Sequence, residues 1–224
     1  MSKTTRIELS VRATYVPNWA LFEGCREPLQ NARDAEVCSG AEMKVRHDGR
    51  TRRLTIETIG ATIDMRSLLL GYTTKANDTR AAGEYGEGMK LSWLALARAG
   101  HKVVVRSGGS MWVPSIVTSA QFGGEQVLAV DVTEIESIGE RTIMEIDGVS
   151  ASAWAEISAK FLFLGKPKTI PTLYGKLITD KKYAGMIFVK GIFVQKVEDV
   201  KHGYDLDDVK VDRDRRMVDI YQAR

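Results

Sequence analysis

The stretch Arg26 to Glu36, REPLQNARDAE, constrains this chain more than any other. At about 100° per residue, Glu27, Asn31 and Asp34 fall at roughly 0°, 40° and −20°. One helix therefore carries a carboxylate, an amide and a second carboxylate along one narrow face. Trp19, Leu21, Phe22, Cys25, Leu29, Ala32 and Ala35, in and just before it, give the same helix enough apolar surface to dock on a sheet. Three convergent polar groups on a docked helix predict a site. The competing reading is a solvent-facing stripe joined by an i,i+4 hydrogen bond.

A site needs a body to hold it, and 224 residues, 44% hydrophobic and 27% charged, suffice for one substantial core and a small second lobe. Thirty-two basic against 29 acidic residues leave 32 − 29 = +3. The charges are mixed along the chain, so neither a nucleic-acid footprint nor a membrane-binding face stands out. Cys25 and Cys38 suggest neither a zinc framework nor a disulfide set. No basic segment followed by an apolar run opens the chain, and its apolar stretches fall short of a membrane span. The expectation is a protein with reduced thiols in the cytoplasm.

Thr5 to Ser10 reads as a strand, and Pro17-Asn18 turns into the long helix, which ends near Val37 before Ser39-Gly40. Glu42 to His47 and Arg53 to Thr58 form strands joined by Asp48-Gly49, a two-residue hairpin signal. Asp64 to Leu70 is a short helix. The stretch Gly71 to Gly88 has no periodicity, and a loop of that length in a compact domain points to function or disorder. Met89 to Ala99 reads as a helix stopped by Gly100. Strands resume at Lys102 to Ser107, Met111 to Val117, Gln126 to Thr133 and Arg141 to Ile146. Ala151 to Leu164 reads as one more helix, and Gly165 to Pro171 has linker composition. Strands at Gly175 to Thr179, Gly185 to Lys190 and Ile192 to Val197 and a charged tail after His202 complete the chain. The expected fold is an α/β two-layer sandwich over residues 1–165, with helices on one face of a mixed, mainly antiparallel sheet. A small β-rich lobe over 172–224 follows; its size makes a poor core of its own, so it leans on the first or opens a transducer-like domain of a longer parent chain.

A second informative stretch is GEYGEGMK, Gly83 to Lys90, a G-x-x-G-x-G arrangement directly before a helix. Glycines allow the backbone conformations and close approach that phosphates require, and the helix start offers unpaired N–H groups. The bland alternative is a flexible loop. The order of a Glu-Asn-Asp helix, a strand with an acid near its end, Thr73-Thr74-Lys75, the glycine loop and a strand opening Arg141-Thr142 resembles the nucleotide-binding domain of the gyrase, heat-shock chaperone, histidine kinase and MutL (GHKL) superfamily, the Bergerat fold. REPLQNARDA resembles its first motif, LTIETIG (Leu54 to Gly60) stands in the place of the second, GEYGEGMK resembles the ATP lid, and IGERTIMEI (Ile138 to Ile146) the closing strand. The resemblance spans residues 5 to 150, and the leading segment is similar to uncharacterised ATP-binding proteins of bacteria and bacterial viruses.

That resemblance implies ATP and Mg²⁺ as ligands, with Asn31 as metal ligand and Glu27 as the base that takes a proton from the attacking water. Asp34 supports the helix and its neighbours. The adenine falls to Glu57, Gly60 and Thr142, the phosphates to Thr74, Lys75 and Lys90, and the lid to Gly83, Tyr85, Gly86, Glu87, Gly88 and Met89. For both lysines the rival is a solvated surface charge, which weighs more heavily on Lys90. Two departures stand out. Pro28 sits inside the helix beside the base, where it removes an N–H, crowds the Gly24 carbonyl and costs about 3 kcal/mol in an ordinary helix interior. Glu57 is followed by Ile59 and Ala61 with Gly60 out of phase, so the base pocket is reshaped. The implied function is slow Mg²⁺-dependent ATP hydrolysis coupled to lid closure and nucleotide-dependent homodimerisation. Its rivals are a nucleotide-sensing module that binds a protein partner without turnover, and a DNA-processing ATPase.

Overall fold

A computed structural model describes residues 3–69, 87–207, 209 and 211. It divides into two compact units, Met1–Trp154 and Ala155–Arg224. In the first, chain order runs β1 (Thr4–Arg12), α1 (Leu21–Ser39), β2 (Glu42–Asp48), β3 (Arg53–Ile59), a 3-10 turn (Met65–Leu68), α2 (Gly88–Arg98), β4 (Val103–Ser107), β5 (Ser110–Ser119), β6 (Glu125–Glu134) and β7 (Arg141–Asp147). The seven strands make one sheet in the order β1-β6-β5-β4-β7-β3-β2. Every neighbouring pair is antiparallel, so this sheet is not mixed as expected.

Period-two alternation gives that sheet two unlike faces. One buries Leu54, Ile56, Val103, Val105, Trp112, Met144 and Ile146. Here α1 packs on β2 and β3, α2 packs on β4 and β5, and the two helices pack on each other. Trp93 of α2 meets Trp112 of β5 edge to face, ring centroids 6.0 Å apart, a favoured aromatic arrangement. The opposite face carries a ladder of ion pairs: Arg6 with Asp131, Arg106 with Glu145, Arg53 with Glu145 and Asp147, and Arg141 with Glu57. The arginines keep 37–53% of their side chains exposed, and water at those heads holds each pair to about 1 kcal/mol; their main effect is to decide which face stays polar.

Arg98, at the end of α2, ties down the approach to α1. Its Nη1 donates to the carbonyls of Ala13 and Tyr15 (3.0 and 2.9 Å), and its Nη2 to those of Val16 and Trp19 (2.9 and 2.7 Å). The fork of a guanidinium suits several acceptors at once, and four carbonyls of an irregular segment find partners in one side chain.

The division between units falls within α3 (Ala151–Ser158). The single long helix expected here breaks after Ser158, because Phe161 turns to an extended backbone, is fully buried, and bridges to Ile192. A one-turn helix, α4 (Leu162–Gly165), follows. The second unit holds a five-stranded sheet of β8 (Thr169–Thr172), β9 (Gly175–Ile178), β10 (Met186–Val189), β11 (Ile192–Lys196) and β12 (Gly203–Leu206), ordered β11-β10-β12-β9-β8. Two strands appear where none was expected. The supposed linker supplies β8, which tolerates Pro171 because it lies at the sheet edge. The start of the charged tail supplies β12, parallel to β10. Leu162, Ile178, Tyr183 and Phe188 form the core of this unit.

Asp205 of β12 is buried there and accepts the Gly191 N–H at 2.7 Å. Burial, more than the opposing Gly191 bond and Lys176, raises its carboxyl above the ordinary value of 3.8, with Asp207 adding to the rise. The folded state then binds the proton more readily than the unfolded chain, so stability falls as pH rises from the ordinary range through the raised value. Asp205→Asn, which can still accept from Gly191, should abolish that downward slope in a pH series of thermal melts. A variant with the slope of the parent would show that another group causes it.

Candidate functional site

The site grows from the meeting of α1 and α2. α1 begins where the Glu23 carboxylate accepts the Ala20 N–H at 2.9 Å, and ends at Gly40 in the left-handed region with φ of 73°. It runs without interruption through Pro28. Proline leaves the carbonyl four residues back without its helical donor, and that carbonyl belongs to Gly24. Ser92 of α2 supplies the missing proton: its Oγ donates to Gly24 O at 2.6 Å, fully buried. Gly24 also lets the helices close up, since a Cβ there would stand 2.6 Å from Leu96 Cγ.

One turn further on, the roles reverse. Gly88, the first residue of α2, lies under Glu27 of α1, where a Cβ would overlap Glu27 Oε2 and stand 2.9 Å from its Cδ. The carboxylate thus rests against the end of α2 that carries unpaired N–H groups and the positive pole of the helix. Its other oxygen, Oε1, accepts from Arg26 Nε at 2.9 Å, and Arg26 Nη2 stands 2.9 Å away as an ion-pair contact. Arg26 is 2% exposed and its guanidinium stacks 4.9 Å over the Trp19 ring, while the Glu27 side chain is 12% exposed. Asn31 is half-buried one turn along, about 6 Å by helical rise. Asp34 is buried, as is Gln30, so a second polar stripe, Arg26-Gln30-Asp34 at i,i+4 spacing, runs beside the expected one.

Solved structures with a similar fold include the ATPase region of Saccharomyces cerevisiae topoisomerase II, at 11% identity and a TM-score of 0.44, covering 78% of this chain and 62% of that one. The same region bound to ICRF-187 (dexrazoxane) matches at 11% identity and a TM-score of 0.48, covering 86% and 69%. The ATPase and transducer domains of DNA topoisomerase II from Balamuthia mandrillaris match at 12% and 0.44, covering 85% and 67%. The chain thus spans 62% of the first of these. No protein-family model matches the sequence and no curated protein does.

Of the other residues of the expected site, Glu57, Gly60 and Thr142 gather at the adjoining ends of β3 and β7, and Lys90 lies in α2. Glu57 lies on the outer face of β3, where Arg141 Nη1 reaches it at 3.2 Å; alternation puts its neighbour Thr58 on the helix side, in register with Thr142. Thr142 Oγ1 donates to Ala61 O at 3.1 Å and lies 2.9 Å from Ser107 Oγ. Gly60 takes φ of 90° and donates its N–H to Glu140 O, closing the turn after β3. Lys90 is 1% exposed and its Nζ donates to the carbonyls of Ser67 and Leu69 at 2.6 and 2.8 Å. Burial lowers its pKa, against the pull of Glu87. Glu87 and Met89 are half-buried at the start of α2. Thr74, Lys75, Gly83, Tyr85 and Gly86 lie outside the described residues.

Cys25 beside Glu27 is fully buried and its thiol is pushed up to about 12 by burial, which makes it an inert core residue. Among the described residues no cluster of three or more His, Cys, Asp or Glu could hold a metal ion, and no helix is long and apolar enough to cross a membrane. Sequence reasoning missed Arg26, Thr58 and Ser92. Alternation within LTIETIG carried the signal for Thr58; Arg26 and Ser92 declare themselves only through tertiary contacts.

Proposed function

We propose that this chain binds a nucleoside triphosphate, ATP in the first instance, together with Mg²⁺, and hydrolyses it slowly. The observation that carries this reading is the contact of Glu27 with Gly88. Two stretches some sixty positions apart, each resembling a GHKL motif, meet at a carboxylate set against a helix N-terminus, a ready site for phosphate. Water attacks the γ-phosphorus, the bond from that phosphorus to the bridging oxygen breaks, and the water's proton passes to Glu27 Oε2 as ADP and phosphate form. Arg26 fixes the other carboxylate oxygen, so the basic oxygen keeps one orientation. The half-buried Asn31 would hold Mg²⁺ through its amide oxygen, an oxygen ligand of the kind that ion takes, and the ion when bound would neutralise phosphate charge. Closure of the 73–88 lid and nucleotide-dependent dimerisation are the conformational output, and a partner protein reads it.

Calorimetric titration with a non-hydrolysable ATP analogue tests the binding half. Binding should require Mg²⁺, and Asn31→Ala should weaken the Mg²⁺-dependent affinity by about 10-fold or more, the usual scale for a lost metal contact. No binding with or without Mg²⁺ would sink the proposal. The ion pair on Glu27 favours one second reading, a module that binds nucleotide and signals without turnover, in which Arg26 holds the carboxylate back from water. Binding without phosphate release in the wild-type chain would select it.

A further inference from the structure

Resting on the nucleotide reading above, we propose that the purine base is read by the hydroxyl of Thr58, not by the Glu57 carboxylate, and that the site therefore accepts 6-amino and 6-oxo purines alike.

The face of β3 decides which side chain can reach a ligand held on the helix side of the sheet. Leu54, Ile56 and Thr58 are buried on that side, and the alternate positions Arg53, Thr55 and Glu57 point to the other. Glu57 is held there by Arg141 within the ion-pair ladder. A carboxylate only accepts hydrogen bonds; had it faced the helices, it would have favoured an amino group and opposed a carbonyl at position 6.

The helix-side face is instead lined with hydroxyls. Thr58 pairs in register with Thr142, and Thr142 in turn with Ser107. Ile63 N–H donates to Ser107 Oγ at 2.7 Å, Ser107 Oγ and Thr142 Oγ1 lie 2.9 Å apart, and Thr142 Oγ1 donates to Ala61 O at 3.1 Å. Because the Thr142 proton is on Ala61, the Ser107 proton must lie toward Thr142. Both protons are committed, and they pin the 61–63 segment to the sheet. Thr58 stands beside this relay and outside it, 7% exposed. Its hydroxyl is not among the fully buried, unpaired side-chain atoms, so the oxygen stays open on the helix side, and a hydroxyl can serve either as donor or as acceptor. It can accept from the adenine amino group or donate to the guanine carbonyl with a rotation of its own proton.

The test is calorimetry of the full chain with the non-hydrolysable ATP and GTP analogues in the presence of Mg²⁺. The two dissociation constants should agree within 10-fold. Thr58→Asp should create a preference for the adenine analogue of 10-fold or more, and Glu57→Gln should leave both affinities and their ratio unchanged. Thr58→Val, which keeps the shape and removes the hydroxyl, should weaken both analogues together, and thermal melts check that it folds. A wild-type preference beyond 10-fold, or a ratio that moves with Glu57→Gln and not with Thr58→Asp, overturns the inference while the nucleotide reading stands. Failure of both analogues to bind overturns both.

Discussion

Glu27→Gln should slow phosphate release by about 100-fold or more, the usual contribution of a general base, while leaving the affinity for a non-hydrolysable ATP analogue within about 3-fold, close to uniform binding. Glutamine is the informative substitution. Its amide oxygen can still accept from Arg26 Nε, whereas alanine would also remove that acceptor from a buried guanidinium, a change of about 1–3 kcal/mol that would confuse folding with chemistry. Gly88→Ala should have a similar effect on rate with every reacting group left in place. Its Cβ would overlap Glu27 Oε2, and Arg26 fixes the other oxygen, so the carboxylate can escape only by leaving its position against α2. A displacement of about 1 Å at a reacting group is worth about 100-fold. If Gly88→Ala turns over at the wild-type rate while Glu27→Gln does not, the base works from a position other than the one against Gly88. If neither variant differs from wild type, Glu27 is not the base.

How much of this could be read from residues alone differs from element to element, for physical reasons. The strands of the first unit were legible because one face of an antiparallel sheet meets the core and the other meets water, which writes period two into the sequence. The same rule fixes the facing of β3: with Leu54 and Ile56 turned inward, Thr58 follows them and Glu57 faces away. The acid drew attention because of its chemistry, and chemistry does not determine which way a strand residue points. Lys90 shows a different limit. A lysine opening a helix after a glycine run suits a phosphate, while its Nζ also reaches carbonyls 21 and 23 positions earlier, and no local pattern encodes that pairing. The strand β12 was hidden for a third reason. It is four residues long, begins at a glycine and buries an aspartate, so neither propensity nor alternation marks it.

The proline inside α1 gives the sharpest test of how the helix pair is built. In an isolated helix Pro28 would leave the Gly24 carbonyl without a donor, yet α1 continues, and among the described residues the compensation comes from across the interface, at Ser92 Oγ. Ser92→Ala should therefore cost about 1–3 kcal/mol in the parent chain, the penalty for stranding a buried polar group, although serine to alanine inside a helix is favourable by intrinsic propensity. Pro28→Ala restores the N–H of residue 28 to the same carbonyl. In that background Ser92→Ala should cost less than about 1 kcal/mol, so the pair of substitutions should couple by about 1–2 kcal/mol in urea unfolding at unchanged slope. Additivity to within about 0.5 kcal/mol would mean that the two residues do not share the Gly24 carbonyl. The coupling also bears on the chemistry, because Gly24 lies one turn from Glu27 on the same helix. A helix held to α2 through Ser92 and through the Gly24–Leu96 contact sets how far the carboxylate stands from Gly88. Ser92→Ala should then lower turnover and leave nucleotide affinity nearly unchanged, and Pro28→Ala should restore the rate that Ser92→Ala removes.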